Sequence, residues 1–269
     1  MIKTYTQAVK YLEGFIPTPD KKHPGSLGLK RMQTLMNLLG NPQLTYPTIH
    51  VGGTSGKGST ATIIASILAQ QYKVGLHTSP HLVKINERIK ILLNNRQQIT
   101  NNNISDNMFI ELVDEIGPVV KKVENSKLGK PSYFEIVTAM AFLYFKKVKV
   151  DFAVIEVGMG GMFDATNVIK PLVAVLTNVG LDHTEVLGDT VEKIARDKAG
   201  IIKSGIQVVT GARQPSVIKI IEATGKRQKA KVSILNRDFS YSLKKTDEKG
   251  SIFDYFSDHT YKNLKLSLL

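Results

Sequence analysis

The stretch Ile49-His50-Val51-Gly52-Gly53-Thr54-Ser55-Gly56-Lys57-Gly58-Ser59-Thr60 decides the fold. A β-branched run enters a glycine-rich turn. A lysine and two hydroxyl residues follow, then an apolar stretch from Ala61 to Gln71. That order predicts a strand, a loop and a helix N-terminus. Glycine lets backbone N–H groups turn inward and approach an anion closely. The helix start adds unpaired N–H donors and the positive end of its dipole. Lys57 is placed to reach the outer phosphates of a nucleotide, and Ser59 or Thr60 to face a magnesium ion. The common phosphate-loop pattern has Ser or Thr directly after the lysine. Here Gly58 intervenes, which gives the narrower variant Gly-Thr-x-Gly-Lys-Gly-Ser.

Working outward, apolar spacing predicts helices over Thr4 to Glu13, around Leu29 to Leu39, and over Tyr133 to Lys147. The helix carrying Met108, Leu112 and Ile116 is predicted to stop at Gly117-Pro118, and Asn94 to Asn103 reads as an exposed turn or loop. Short apolar runs predict strands at Thr48 to Val51, Val74 to Thr78, Ile89 to Leu93, Phe152 to Ile155, Val173 to Leu176 and Gln207 to Thr210. Asp189 is predicted to cap a helix running to about Lys198, with Glu192 completing a capping box, and Pro215 to Ala223 forms a further helix. From Phe239 onward, short alternating segments read as antiparallel strands at one edge. Strands alternating with helices imply an α/β fold: a mostly parallel sheet flanked by helices, with right-handed crossovers. Ligands then bind beyond the carboxyl ends of the strands. The phosphate loop, Ser79, Glu156 and Asp182-His183 all follow such ends.

At 269 residues with 42% hydrophobic content, the chain can bury a substantial core. It has no cysteine, which excludes disulfides, thiolate metal sites and cysteine nucleophiles. Met1 to Glu13 is mixed and polar, unlike a secretory signal. No apolar run approaches the roughly 20 residues that span a bilayer. A cytoplasmic protein without membrane contact is therefore expected. The net charge of +13 invites a nucleic-acid partner, but the densest basic region, Lys219 to Arg237, lacks interleaved aromatics for base stacking. No nucleic acid is expected, and nucleotides suit the charge equally well.

Glu156 ends a buried strand, where a carboxylate needs a cation. Magnesium on a nucleotide would serve, and so would an ion pair. Ser79 offers a neutral oxygen ligand or a turn. His183, just beyond a strand in Leu181-Asp182-His183, suits metal or phosphate contact or a structural role. Lys198 by itself is an ordinary lysine, and Asp164-Ala165-Thr166-Asn167 reads as a turn after Gly158-Met159-Gly160-Gly161.

Taken in order, these motifs resemble the ATP-binding part of the folylpolyglutamate synthase/dihydrofolate synthase family, in the Mur ligase superfamily. The resemblance covers nearly the whole chain. It rests on His23-Pro24-Gly25, the phosphate loop, Thr78-Ser79-Pro80-His81, Asn86-Glu87-Arg88, Tyr133-Phe134-Glu135, Glu156 to Gly161, Asp164 to Asn167, Leu181 to His183 and Lys198-Ala199-Gly200-Ile201. It implies that Gly53, Thr54, Ser55, Gly56, Lys57, Gly58, Ser59, Thr60 and Asn178 bind ATP. It further implies that Ser79 and Glu156 hold a first magnesium and His183 a second, and that Lys198 matches a lysine the family carbamylates. Lys57, His183 and Lys198 are the implied catalytic residues. Ser132, Tyr133, Phe134, Glu135, Phe163, Asp164 and Ala165 match segments that contact a pterin substrate. Ser55 stands where asparagine is frequent, and Met162 where many bifunctional members have arginine.

The implied reaction is ATP-dependent ligation of L-glutamate to a folate through an acyl phosphate. Dihydrofolate synthase activity on dihydropteroate is the alternative within the family. A small-molecule kinase and a non-catalytic nucleotide-binding module are the alternatives outside it. Residues 1–269 are expected to form a monomeric ATP-binding domain. The family's C-terminal glutamate-ligase domain, with its Asp-Gly-Ala-His-Asn-Pro type motif, is expected to lie outside these residues, which carry no such motif. The chain alone is therefore expected to bind Mg-ATP weakly and to add no glutamate.

Overall fold

A computed structural model describes residues 2–18, 24–95 and 98–267. His23 of the His23-Pro24-Gly25 motif, and Leu269, lie outside them. Among the described residues, eight strands form one sheet, in the order β4-β3-β2-β5-β1-β6-β7-β8. These are β1 Thr48–Gly52, β2 Val74–His77, β3 Ile89–Asn95, β4 Gln98–Asn103, β5 Phe152–Glu156, β6 Val173–Leu176, β7 Gln207–Thr210 and β8 Lys231–Ile234. From β2 through β8 the neighbours pair in parallel, whereas β3 and β4 are antiparallel. β1 therefore lies at the centre, between β5 and β6, where the strand order turns from one direction to the other. Crevices form at such a point.

The helices are α1 Tyr5–Glu13, α2 Ser26–Leu38, α3 Lys57–Leu68, α4 Asp106–Glu124, α5 Tyr133–Lys147, α6 Thr184–Leu187, α7 Val191–Lys198 and α8 Pro215–Arg227. Alternate residues of a strand face opposite sides of the sheet. Ala153 and Ile155 join the core under α1, α2, α4 and α5, whereas Val154 joins Ile49, Val51, Ala61 and Ala65 under α3. A third cluster packs α7 and α8 on β6 and β7.

Three local expectations are corrected. Within the polar run Asn94 to Asn103, the described residues are strand, not loop; residues 96 and 97 lie outside them. Gln98–Asn103 is an edge strand, because backbone pairing with β3 is all an edge requires and its weak β-formers tolerate that position. α4 does not stop at Gly117-Pro118: Phe109, Leu112, Val113, Ile116, Val120 and Val123 stay buried on one stripe across the proline, and that packing outweighs the lost backbone bond. The cap of α7 is Thr190, whose hydroxyl accepts from Lys193 N, while Asp189 pairs with the Lys193 ammonium at 2.8 Å. The antiparallel strands after Phe239, β9 Ser240–Asp247, β10 Gly250–Phe256 and β11 Thr260–Ser267, form a separate sheet in the order β11-β10-β9. The edge of the main sheet opposite β4 is β8, within the basic region.

Gly75 of β2 fixes the distance between sheet and α5. A Cβ there would stand 2.7 Å from the ring of buried Phe145. Gly75→Ala is expected to destabilise the fold by about 1–3 kcal/mol through overpacking. Urea denaturation measures it, and an unchanged midpoint would show that the ring does not set this spacing.

Candidate active site at the carboxyl ends of the central strands

The central position of β1 brings the segments after β1, β5 and β6 side by side. Gly53 has φ +140°, and a Cβ there would overlap the Thr177 hydroxyl, so only glycine fits. Gly56, at φ +74°, is the left-handed cap from which α3 starts, four residues earlier than the apolar run suggests. Residues after β6 lace this loop in place. Thr54 N donates to Asn178 O at 3.0 Å, and Ser55 N donates to Asn178 Oδ1 at 3.0 Å. Asn178 Nδ2 donates to Ser55 Oγ at 2.8 Å, Thr177 Oγ1 to Ser55 O at 2.7 Å, and Gly180 N to Thr54 Oγ1 at 2.9 Å. Serine at position 55 thus has its own partner in Asn178.

Two lysines rest on loop carbonyls. Lys57 Nζ donates to Thr54 O at 3.2 Å and Lys198 Nζ to Gly53 O at 3.0 Å. Lys198 is buried at the end of α7. Burial lowers its pKa to about 8, with repulsion from Lys57 helping and Asp182, Asp197 and Asp164 opposing. Part of its population is therefore the neutral amine near neutral pH.

Glu156, last in β5, accepts from Ser79 N at 2.8 Å. A Cβ on Gly58 would lie 3.4 Å from its Oε2, so the carboxylate rests against the first turn of α3. Burial raises its pKa, against the Ser79 N–H, Lys57 and Arg88. A further cation beside it is electrostatically favourable.

From this point a cleft of about 690 Å³ runs toward α5. Lys57 and Ser79 line one part and Tyr133, Phe134, Phe163 and Ala165 another, with His183 also in its wall. Ser132 caps α5, and the Glu135 carboxylate reaches back to Ser132 N at 3.2 Å. Glu135 also holds Arg31 in a buried two-pronged pair, at 2.8 and 2.7 Å. Its oxygens are thereby engaged inside the wall. Asp164 is likewise buried, accepting from Met159 N and Thr166 N at 2.9 Å each and from the Thr166 hydroxyl.

The expected metal residues divide. Ser79 and Glu156 adjoin. Lys198 is under the loop, and His183, with φ +49° and a half-exposed ring, has Asp182 and Glu185 at 3.7 Å. Among the described residues no three His, Asp or Glu side chains gather as a metal cage. Sequence reasoning gave no role to Arg88, which donates from Nε to His81 Nδ1 at 2.9 Å and stacks over Tyr133, nor to Arg31, His50 and Thr166. Of these, only His50 carried a signal of its own, a polar residue between the apolar Ile49 and Val51.

Residues 51–269 match the Mur ligase middle domain. The dihydrofolate synthase/folylpolyglutamate synthase of Bacillus subtilis is 40% identical over 245 residues, covering 90% of this chain and 55% of that protein. The folylpolyglutamate synthase of Lacticaseibacillus casei is 40% identical over 253 residues, covering 93% of this chain and 56% of that protein. The chain thus spans about half the length of the curated relatives it matches. Among solved structures, folylpolyglutamate synthase from Thermotoga maritima superposes with a TM-score of 0.85 at 37% identity, over 98% of this chain and 57% of that one. A folylpolyglutamate synthase–AMPPCP–folate complex gives 0.87 at 38% identity, over 98% and 62%. With the Mur ligase middle domain matched over most of this chain and relatives 40% identical over at least 90% of it, the chain belongs to the folylpolyglutamate synthase/dihydrofolate synthase family of Mur ligases.

Proposed function

We propose that the cleft carries out ATP-dependent ligation of L-glutamate to a folate, with residues 1–269 supplying the nucleotide half of the site. The observation that carries this reading is the meeting of the pinned glycine loop, Lys57 and Glu156 at one part of a cleft whose continuation is aromatic. The loop N–H groups and Lys57 would take the ATP phosphates, with Asn178 setting the loop conformation. The donor set also fits magnesium: one buried carboxylate, Glu156, beside the Ser79 hydroxyl suits an ion that keeps most of its waters. Bound there, magnesium would neutralise phosphate charge. His183 and Lys198 would enter the metal environment from the cleft wall and from beneath the loop.

Tyr133, Phe134 and Phe163 would receive the flat ring system of the folate. Glu135 and Asp164 would act by holding the wall, since their oxygens already have donors. A folate carboxylate oxygen then attacks the γ-phosphorus, the bond to ADP breaks, and the acyl phosphate forms. The amine of glutamate attacks that carbonyl and phosphate leaves. Lys57 acts by charge and position, as phosphoryl transfer requires.

Lys57→Ala is expected to weaken Mg-ATP binding by about 1.5–3 kcal/mol, roughly ten- to a hundredfold. Glu156→Gln should weaken the magnesium dependence more than metal-free nucleotide binding. Calorimetry reports both, and unchanged affinity in Lys57→Ala would remove the nucleotide assignment.

Lys198 is proposed to take up carbon dioxide as a carbamate: the neutral amine forms an N–C bond and releases one proton. The reactive form grows as pH rises through about 8. At fixed dissolved carbon dioxide the carbamate should therefore increase over that window. Carbon-13 NMR with labelled bicarbonate should show a signal absent from Lys198→Ala, and identical spectra would contradict it.

A further inference from the structure

His50 is the one titratable side chain in the centre of β1, and it is fully buried. It faces the α5 side of the sheet, opposite in register to Ile155. Its Nε2 lies 2.8 Å from Thr166 Oγ1, in the 3-10 turn Ala165–Val168. The same hydroxyl meets Asp164 Oδ1 in a short contact. Direction follows from counting protons. Burial raises the Asp164 pKa, but N–H donors occupy both of its oxygens, Thr166 N at Oδ1 and Met159 N at Oδ2, and these favour the carboxylate. The single hydroxyl proton of Thr166 must then go to Asp164, and its oxygen must accept from His50. His50 is therefore protonated at Nε2 and bare at Nδ1, the atom that lacks a partner among the described residues. An imidazolium would place an N–H in that sealed position with nothing to accept it. Burial accordingly lowers the His50 pKa to about 3, with the Lys203 charge adding to the effect.

We propose that His50 is a positioning residue that directs a buried donor chain, His50 to Thr166 to Asp164, so that Asp164 clamps the glycine loop at Met159 in the wall of the cleft. Gly158 and Met159, two and three residues after Glu156, line the cleft, and Asp164 takes the Met159 N–H at 2.9 Å. A Cβ on Gly158 would stand 2.4 Å from the Phe134 ring, so this loop also sets where that ring sits. One strand thus serves both parts of the site. Gly52 at its end leads into the phosphate loop, and His50 two residues earlier fixes the aromatic part. The folate arm of the test rests on the function proposed above; the exchange arm does not.

The experiment compares wild type, His50→Leu, His50→Gln and Thr166→Val. Glutamine keeps a side-chain N–H donor, leucine does not. Amide exchange at Met159 is expected to accelerate about tenfold in His50→Leu relative to the Val175 and Val209 amides, and to return to within about threefold of wild type in His50→Gln. Folate should bind about tenfold more weakly to His50→Leu, with ATP affinity held within about twofold. Thr166→Val should act in the same direction, and His50→Leu/Thr166→Val should be no worse than the worse single variant, because both break one chain. Should His50→Leu not fold, Thr166→Val and His50→Gln carry the comparison. Met159 exchange that moves only with the control amides, or additive effects in the double variant, overturns the proposal. Wild type that fails to bind folate, with Met159 exchange responding as stated, overturns the folate reading and leaves the positioning role standing.

Discussion

A backbone loop presents its N–H groups to an anion only if its own carbonyls and conformation are held by something else. The rest of the structure depends on that constraint. Gly53 and Gly56 occupy backbone angles that disfavour other residues. Thr177, Asn178 and Gly180 supply the ties that keep Thr54 and Ser55 in place. Two lysines neutralise the loop carbonyls of Gly53 and Thr54. The ties come from β6 because the sheet order places β6 beside β1, and Glu156 comes from the neighbour on the other side. The topology is thus a device for bringing three distant segments to one edge.

The other part of the cleft is held by buried charge. Arg31–Glu135 joins α2 to the start of α5, and Asp164 joins the glycine loop to the turn behind it. Each carboxylate is surrounded by donors, which is how a buried charge is tolerated. Such networks hold a wall in one arrangement, and the aromatic rings Tyr133 and Phe134 project from it. The cleft is therefore rigid where flat surfaces meet and cationic where phosphates would lie.

Much of this was legible in the sequence. The glycine-rich loop, the apolar runs of β5 and β6 and the residues just past their ends all carry their own period or composition. Less legible were features that depend on partners. β4 is polar because an edge needs only backbone pairing, so no alternation marks it. α4 crosses Pro118 because tertiary burial on one stripe compensates locally. Glu135 lines the cleft, and that its oxygens also pair with Arg31, more than a hundred positions away in the chain, is something no local pattern reveals. Thr166 was hidden in the same way, and the partner of His50 with it: nothing local shows that the fold brings the two within 2.8 Å.

The most direct measurement is a nitrogen-15 amide spectrum of the chain titrated with ATP in the presence of magnesium. If the ends of the central strands form one nucleotide site, perturbations concentrate at Gly53 to Thr60, Ser79, Glu156 and Thr177 to Gly180, and saturate together with one affinity. Perturbations centred instead on the basic residues of α8 and β8, or spread without saturation, would contradict it. That pattern would mean that the positive charge of the chain, rather than the loop geometry, binds the nucleotide.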